Sequence, residues 1–278
     1  MTVVAIWLEP QEQTLWVVAD TRISNPGQSG GTVVATDSGA KLFALPIHCY
    51  AAVTGSFAKK TLYQSSVGYA FAGDVLPATM TFATVSTFFQ NLVTVGSYDP
   101  PRLRDIVEMV GHLAEGFSKE ALFSSNLKYG KFSAAVFGWC PVLNQFAIYQ
   151  LVPKMTASDF KIQITETIPR DNSAPVSFGT GAARLLHLIG EIHAHGDKFP
   201  RTARIPKIAA EALIAENIGD IGGSLSIGAA TKEGFQLFSR VTPNELGRPE
   251  ANITFNGINL GQNARLVGQY MVSITGMV

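Results

Sequence analysis

The start of the chain alternates runs of β-branched and aromatic residues with short polar connections, a pattern typical of β-strands. Two such runs, Val3–Leu8 and Thr14–Ala19, are separated by Glu-Pro-Gln-Glu-Gln and predict a hairpin. Turn-forming residues then occupy Asn25–Gly31. Further short apolar runs predict strands at Thr32–Ala35, Lys41–Leu45 and His48–Val53. Gly55 ends this strand-rich block.

From Ser56 the spacing of apolar residues changes and predicts helices over Phe57–Gly73 and Thr79–Val95. A third helix follows, with Asp99 as its N-cap and prolines at its start. Strands are then predicted at Phe132–Trp139, Gln145–Val152 and Phe160–Ile168, helices at Gly181–His193 and Ile205–Ala215, and strands at Ser224–Ala230 and Phe235–Arg240. This order of strands, helices, strands, helices and strands predicts an α+β layered sandwich with mostly antiparallel sheets.

Composition narrows the function more than the fold. The 278 residues carry 21 basic and 21 acidic side chains, so the chain has no excess charge for binding nucleic acid. Charged residues make up only 15% of the chain, against about 25% in an average soluble domain. Because no run approaches the roughly 20 apolar residues of a membrane span, the low charge instead predicts a large protein–protein interface.

Location and redox state follow from similar reasoning. The segment Met1–Gln11 lacks the basic start of a secretory signal. Cys49 and Cys140 do not indicate a disulfide framework, and Cys49 lies in an apolar strand as a small core residue would. We therefore expect free thiols and a cytoplasmic protein.

Thr2 is the first residue with candidate chemistry. Methionine aminopeptidases remove Met1 when a small residue follows it, which would expose the α-amine of Thr2. An α-amine titrates near ~7.7–8.0 and can act as a base for the hydroxyl of the same residue. Many proteins begin with Met-Thr, however, so Thr2 taken alone is better explained as the ordinary start of a strand.

The residues downstream of Thr2 favour a catalytic role for it over an ordinary strand start. Asp20 and Arg22 belong to Val-Ala-Asp-Thr-Arg, Lys41 ends Asp-Ser-Gly-Ala-Lys, and Gly55 belongs to Ala-Val-Thr-Gly-Ser. Glycine-rich turns follow at 175–181 and 221–224. In this order the motifs resemble those of proteasome β-type subunits, which are Ntn-hydrolases. Because Thr2 directly follows Met1, the sequence looks closer to the bacterial members of this family that lack a propeptide, the HslV and Anbu types.

This resemblance covers about residues 2–241 and leaves 242–278 as a C-terminal extension. Its alternation of Asn, Gly and β-branched residues predicts strands or extended chain, packed on the same domain or used in assembly. The resemblance implies a four-layer α/β/β/α sandwich with two mostly antiparallel sheets. It also implies that Thr2 is the nucleophile, that Lys41 stabilises the developing alkoxide and that Asp20 holds Lys41 charged. The main-chain N–H of Gly55 would bind the oxyanion.

The resemblance assigns supporting roles to further residues. Thr180 would supply a hydroxyl beside Thr2. The family places an aspartate near Ile218, so either Asp220 replaces it through a local shift or this part of the site is degenerate. Ile221 stands where the family has a serine, which departs from the pattern of active members. Ile23, Ser24, Val53 and Phe57 would line an apolar substrate pocket.

The resemblance therefore implies a threonine-type hydrolase that cleaves peptide or amide bonds through an acyl-enzyme on Thr2. We expect a homo-oligomer, as a ring or a stacked assembly, with no cofactor, metal, nucleic acid or membrane; an ATPase partner is left open. Two alternatives remain: a non-peptidase Ntn amidohydrolase of a small amide, and a catalytically silent homologue that forms an assembly. His187, His193 and His195 have no companions at zinc-ligand spacing, and the helix end favours a dipole interaction.

Overall fold

The computed structural model describes residues 2–26, 31–52, 59–94, 99–126, 129–156, 159–171, 173–194, 204–242, 252–263, 267, 269 and 272–277. The strands are β1 (Val4–Glu9), β2 (Thr14–Asp20), β3 (Ile23–Pro26), β4 (Thr32–Thr36), β5 (Leu42–Ala52), β6 (Lys59–Gly73), β7 (Leu92–Thr94), β8 (Phe132–Cys140), β9 (Gln145–Met155), β10 (Phe160–Thr167), β11 (Val176–Phe178), β12 (Leu225–Thr231), β13 (Gly234–Thr242), β14 (Asn252–Phe255), β15 (Ile258–Asn259) and β16 (Gly276–Met277). The helices are α1 (Val75–Phe89), α2 (Leu103–Ser124), α3 (Ala182–Ala194), α4 (Ile205–Ala215) and the short α5 (Leu260–Asn263).

The first sheet contains the first and the last described strands, β1 and β16. Its strand order is β11-β1-β2-β12-β13-β14-β15, and β16 also pairs with β13. All of these pairs are antiparallel except β13 with β16. The described strands after position 242 therefore extend this sheet.

The second sheet has the order β10-β9-β8-β6-β5-β7, and only the pairing of β5 with β7 is parallel. Strands β3 and β4 form a separate hairpin. The expectation of a mixed fold with mostly antiparallel sheets is confirmed by these registers.

Strand β1 shows how the sequence divides its side chains between two cores. Val3, Ala5 and Trp7 pack in a cluster with residues of α3 and α4. Val4 and Ile6 instead pack in a cluster with residues of the second sheet. This alternation follows from the two-residue period of a strand, and it means that β1 is apolar on both faces.

Helices α1 and α2 pack on the second sheet. Their buried residues, such as Val85 and Val107, join a cluster with Tyr69 and Phe71 of β6. Within the described ranges, no helix has both the length and the apolar character needed to span a bilayer.

The helix predicted over Phe57–Gly73 is wrong, because the described part of this segment is strand β6. Val67, Tyr69 and Phe71 face one core while Ala70 and Ala72 face another, which is the period of a strand. Pairing with β5 and β8, distant in sequence, stabilises the strand. Local spacing alone did not show these pairings.

The helix predicted over Thr79–Val95 is correct only in part, because α1 ends at Phe89 and Leu92–Thr94 is strand β7. Helix α1 begins at Val75, four residues before the predicted start, because the Asp74 carboxylate caps it by accepting from the Leu76 N–H at 3.1 Å. Arg102, and not Asp99, is the N-cap of α2. Helix α4 has the predicted bounds, Ile205–Ala215.

Candidate active site

Thr2 and Asp20 meet at one end of the β1–β2 pair. The register places Val4 opposite Ala19, so Val3 lies across from Asp20. The Val3 N–H donates to Asp20 Oδ1 at 2.9 Å, and the Asp20 N–H donates to the Val3 carbonyl at 3.2 Å. Thr2 is buried, with 4% of its surface exposed. The strand register therefore holds the Asp20 carboxylate directly beside the start of the chain.

Lys41 joins this carboxylate from the second sheet. It immediately precedes β5, and its ammonium lies 3.0 Å from both Asp20 oxygens. The side chains of Lys41 and Asp20 are 2% and 0% exposed. Burial lowers the pKa of Lys41 and raises the pKa of Asp20, while their mutual attraction opposes both shifts. The ion pair thus lies in a nearly dry environment, where a charge interaction is stronger than in water.

A hydroxyl and a turn fix the main chain of Thr2. The Thr2 nitrogen lies 3.3 Å from Thr180 Oγ1, and the Gly181 N–H donates to the Thr2 carbonyl at 3.2 Å. Thr180 itself lies on the surface. The structure therefore brings Thr180 to the nitrogen that would become the α-amine after removal of Met1.

Asp220 is held by an arginine to which sequence reasoning gave no role. The Arg22 guanidinium donates to Asp37 through Nε at 2.6 Å and through Nη2 at 3.2 Å. Its Nη1 donates to the carbonyls of Gly219 and Ile221, on either side of Asp220, at 3.1 and 3.4 Å. Arg22 stands in the Asp-Thr-Arg motif, two residues after Asp20, and that position was the only signal in the sequence.

Asp220 is 7% exposed, and its pKa lies below the ordinary value. Burial acts to raise this pKa, but hydrogen bonds, the strongest of them from Thr32, and the attraction of a nearby positive charge together outweigh burial. The Arg22 hydrogen bond likewise lowers the pKa of Asp37. Both carboxylates are therefore held in the ionised form.

A cleft of about 640 Å³ borders Asp220. The β3–β4 hairpin forms one wall, including Ile23 and Ser24, which the sequence predicted as substrate contacts. Val75 and Leu76 at the start of α1 add an apolar wall. The cleft is further lined by Asn25, Gly31, Thr32, Gly73, Asp74, Tyr129, Gly130 and Lys131.

Three predicted site residues, Gly55, Val53 and Phe57, lie outside the described residues. The sequence predicted that the first helix follows Gly55, but the first described helix, α1, begins at Val75. The turn before α1 is Gly73–Asp74, which follows β6.

Gly73 lies close to Lys41 through the pairing of β5 and β6. Leu42 pairs with Ala70, and the Phe71 N–H donates to the Lys41 carbonyl at 3.1 Å. Gly73 has a φ of +112°, and a Cβ there would lie 2.7 Å from the Lys131 carbonyl oxygen. Both facts require glycine at this position. The sequence signal for it was Gly-Asp directly before an apolar helical run.

The described residues include no group of three or more His, Cys, Asp or Glu side chains arranged to hold a metal ion. The groups placed near the main chain of Thr2 are the Thr180 hydroxyl and the Asp20–Lys41 ion pair, while the Asp220 carboxylate borders the cleft and interacts with the charge of Lys41. Such a set can activate and orient a hydroxyl nucleophile.

Comparison of the sequence with known protein families finds no match. No curated protein sequence matches either. Among solved structures, the helical assembly of the Anbu complex from Pseudomonas aeruginosa superposes with a TM-score of 0.51 at 13% identity, covering 86% of each chain. Anbu (ancestral beta-subunit) from Yersinia bercovieri gives a TM-score of 0.49 at 10% identity, covering 85% of this chain and 87% of that chain. The first comparison shows that the chain shares the Anbu fold, in agreement with the Anbu-type resemblance of its motifs.

Proposed function

We propose that this chain is a proteasome-like N-terminal-threonine hydrolase that cleaves peptide or amide bonds after removal of Met1. The observation that carries the proposal is the Lys41–Asp20 ion pair, buried at 2% and 0% exposure next to Thr2. A buried ion pair is a weak device for stability, because the desolvation of two charges offsets their attraction. Its position beside a candidate nucleophile therefore favours a chemical role.

The reaction needs only groups that this chain supplies, besides the substrate and water. The Thr2 hydroxyl oxygen forms a bond to the substrate carbonyl carbon, and its proton passes to the α-amine of Thr2. The carbon–nitrogen bond then breaks, and the leaving amine takes that proton. Water hydrolyses the resulting ester and restores the Thr2 hydroxyl.

The surrounding residues have separate parts in this scheme. Lys41 stabilises negative charge at the Thr2 oxygen, and Asp20 keeps Lys41 charged and in place. Thr180 orients the α-amine, since its hydroxyl is already 3.3 Å from that nitrogen. Asp220 supplies a second carboxylate, ionised at neutral pH, at the edge of the cleft.

We assign the oxyanion donor to Gly73 in place of Gly55. Gly73 precedes the first helix, borders the cleft and lies two residues after the partner of Lys41 across the β5–β6 pair. A glycine allows the main chain to approach a substrate closely. Ile23, Ser24, Val75 and Leu76 would contact the substrate and favour an apolar side chain.

The four-layer α/β/β/α arrangement belongs to the same proposal. Three apolar clusters support it, one between α1, α2 and the second sheet, one between the two sheets, and one between the first sheet and α3 with α4. Domain limits of 1–241 with an extension over 242–278, and a cytoplasmic location, remain predictions.

We also propose that the chain forms a homo-oligomer. Helix α1 contains no charged residue, and Met80 and Phe88, away from the cleft, are exposed on it by 38% and 48%. Exposed apolar surface of this kind marks protein interfaces. The similar Pseudomonas aeruginosa structure is a helical assembly.

The test compares Thr2→Ala with Thr2→Ser. Substrates are fluorogenic peptides ending in an apolar residue, tried alongside small amides. Thr2→Ala should abolish hydrolysis, because it removes the nucleophile, while Thr2→Ser should retain part of it. Full hydrolysis by Thr2→Ala would contradict the mechanism. Cleavage of small amides alone would favour the amidohydrolase alternative, and an inactive wild type that still assembles would favour the silent homologue.

A further inference from the structure

Some of the described residues beyond Thr242 contact the Asp37–Ser38 segment, which binds Arg22 of the candidate site. Strand β14 pairs with β13, and the chain then turns at Asn256–Gly257 into β15. This turn lies on the Asp37–Ser38 segment, where the Ser38 hydroxyl donates to the Gly257 carbonyl at 3.2 Å. The Ser226 hydroxyl donates to Asn256 Oδ1 at 2.8 Å. The turn is thus bonded both to a loop and to a strand of the first sheet.

The fit between the turn and the loop depends on glycine. Gly257 has a φ of +80°, and a Cβ there would lie 2.7 Å from the Asp37 carbonyl oxygen and 3.0 Å from Ser38 Cα. Asn256 also has a positive φ, of +49°, as Asn-Gly hairpin turns require. A side chain at position 257 would therefore push the turn and the Asp37–Ser38 segment apart.

The Asp37–Ser38 segment in turn contacts two parts of the candidate site, the Arg22–Asp220 contacts and the residues that precede Lys41. The Asp37 carboxylate binds Arg22, whose Nη1 holds the carbonyls flanking Asp220. The Asp37 carbonyl accepts from the Thr21 hydroxyl, and the Gly39 N–H donates to the Thr21 carbonyl at 2.8 Å. Lys41 follows two residues after Gly39. A displacement of this segment would therefore act on Asp220 and Lys41 together.

We infer that the Asn256–Gly257 turn is a positioning element of the candidate active site, acting through Asp37 and Arg22 on Asp220 without touching substrate. The inference rests on the proposed hydrolase function. It assigns a role in activity to residues that lie outside the proteasome-like motifs. These residues extend the first sheet and also hold the Asp37–Ser38 loop, whose Asp37 carboxylate binds Arg22.

The test uses the full chain with Gly257→Val and, as a matched control in the same extension, Gly261→Ala. A Cβ at Gly261 would meet only Asn259 Oδ1, at 3.3 Å. With a fluorogenic peptide ending in an apolar residue, we expect Gly257→Val to lower kcat about tenfold with KM within about twofold, the pattern of a lost transition-state interaction. Gly261→Ala should match the wild type. Equal kcat values for all three proteins would overturn the inference.

Two further variants separate positioning from folding. Ser38→Ala removes one hydrogen bond to the turn without steric change, and it should lower kcat in the same direction by a smaller factor. Arg22→Lys should reduce the effect of Gly257→Val when the two are combined, because both act through the same contacts. If Gly257→Val does not fold, an unchanged kcat in Ser38→Ala overturns the inference.

Hydrogen exchange supplies a readout that does not depend on activity. In Gly257→Val, or in Ser38→Ala, amides in residues 36–42 and 219–222 should exchange faster than in the wild type, while those of β8 should not change. If the wild type hydrolyses nothing, the proposed function fails, and the exchange result alone decides whether the turn holds these segments. Unchanged exchange in both segments would overturn the inference.

Discussion

The candidate site contains two ion pairs with similar chemistry and different surroundings. In the inner pair, Lys41 and Asp20 are 2% and 0% exposed and are set by the ends of strands. In the outer pair, Arg22 is 8% exposed but Asp37 is 50% exposed, and it lies in a loop. Water therefore screens the outer pair and hardly reaches the inner one. The inner pair should control chemistry and folding together, whereas the outer pair should adjust geometry at little cost to stability.

The largest expected effect is on the inner pair. Lys41→Met leaves the Asp20 carboxylate buried without its cation, so the free energy of unfolding should fall by about 3–5 kcal/mol. Hydrolysis should be abolished. Urea denaturation at matched protein concentrations measures the first effect.

The double variant Asp20→Asn with Lys41→Met is the control for this experiment. It removes both charges while an amide oxygen can still accept from Val3, so it should recover most of the lost stability and none of the activity. A loss below about 1 kcal/mol in Lys41→Met would mean that the pair is far more hydrated than its burial indicates.

A substitution at Gly73 tests whether the residue before α1 supplies the oxyanion donor. Gly73→Ala places a Cβ against the Lys131 carbonyl at a φ of +112°, which should displace the turn and with it the Gly73 N–H. We expect kcat to fall about 100-fold, the size of effect that follows the loss of an oxyanion donor. Gly55→Ala is the matched control, since Gly55 is the position that motif spacing favours. If Gly55→Ala loses activity and Gly73→Ala does not, our assignment of the donor is wrong.

A substitution at Arg22 tests the role of the outer ion pair. Arg22→Lys keeps the charge but cannot bind Asp37 bidentately and also reach the carbonyls of Gly219 and Ile221. We expect kcat to fall about tenfold, about 1.4 kcal/mol of transition-state stabilisation, with less effect on stability than Lys41→Met has. Steady-state kinetics and urea denaturation on the same preparation measure both. A loss of stability as large as that of Lys41→Met would remove the distinction between the two pairs.

The smallest expected effect is the pH dependence of the outer pair. The Arg22 hydrogen bond lowers the pKa of Asp37 below its ordinary value of 3.8, so the pair's contribution is full above that pH and is lost as pH falls through the lower folded-state value. Asp37→Asn should cost about 0.2–1 kcal/mol at neutral pH, because Asp37 is half exposed. The difference from the wild type should shrink below about pH 3.8, and a constant difference would contradict the assigned cause.

The inner half of the site was the part that sequence made predictable. Asp20 and Lys41 stand at the ends of strongly apolar strands, and such strands are recognisable from their residues alone. Motif order then indicated that the two side chains meet, and the structure brings them to 3.0 Å. Helix α4 was predictable for a similar reason, since its pattern is local.

The outer half was not predictable because its contacts are not local. Arg22 reaches the carbonyls of Gly219 and Ile221 across almost two hundred residues, and no spacing rule connects them. Strand β6 was misread as a helix because small residues such as Ala70 and Ala72 weaken its alternation. The same misreading placed the start of the first helix just after Gly55, whereas α1 begins at Val75, after Gly73–Asp74. For the residues after Thr242 the sequence predicted strands or extended chain, but not that β14 pairs with β13, because that pairing is set by the tertiary fold.

The central claim is that the Thr2 hydroxyl, freed by removal of Met1, is the nucleophile. The most direct measurement is residue-level mass spectrometry of the purified protein before and after treatment with a peptide epoxyketone, which reacts with a hydroxyl and an α-amine on the same residue. We predict a chain that begins at Thr2 and a single adduct on Thr2, absent from Thr2→Ala. A chain that retains Met1 and forms no adduct on Thr2 would contradict the account.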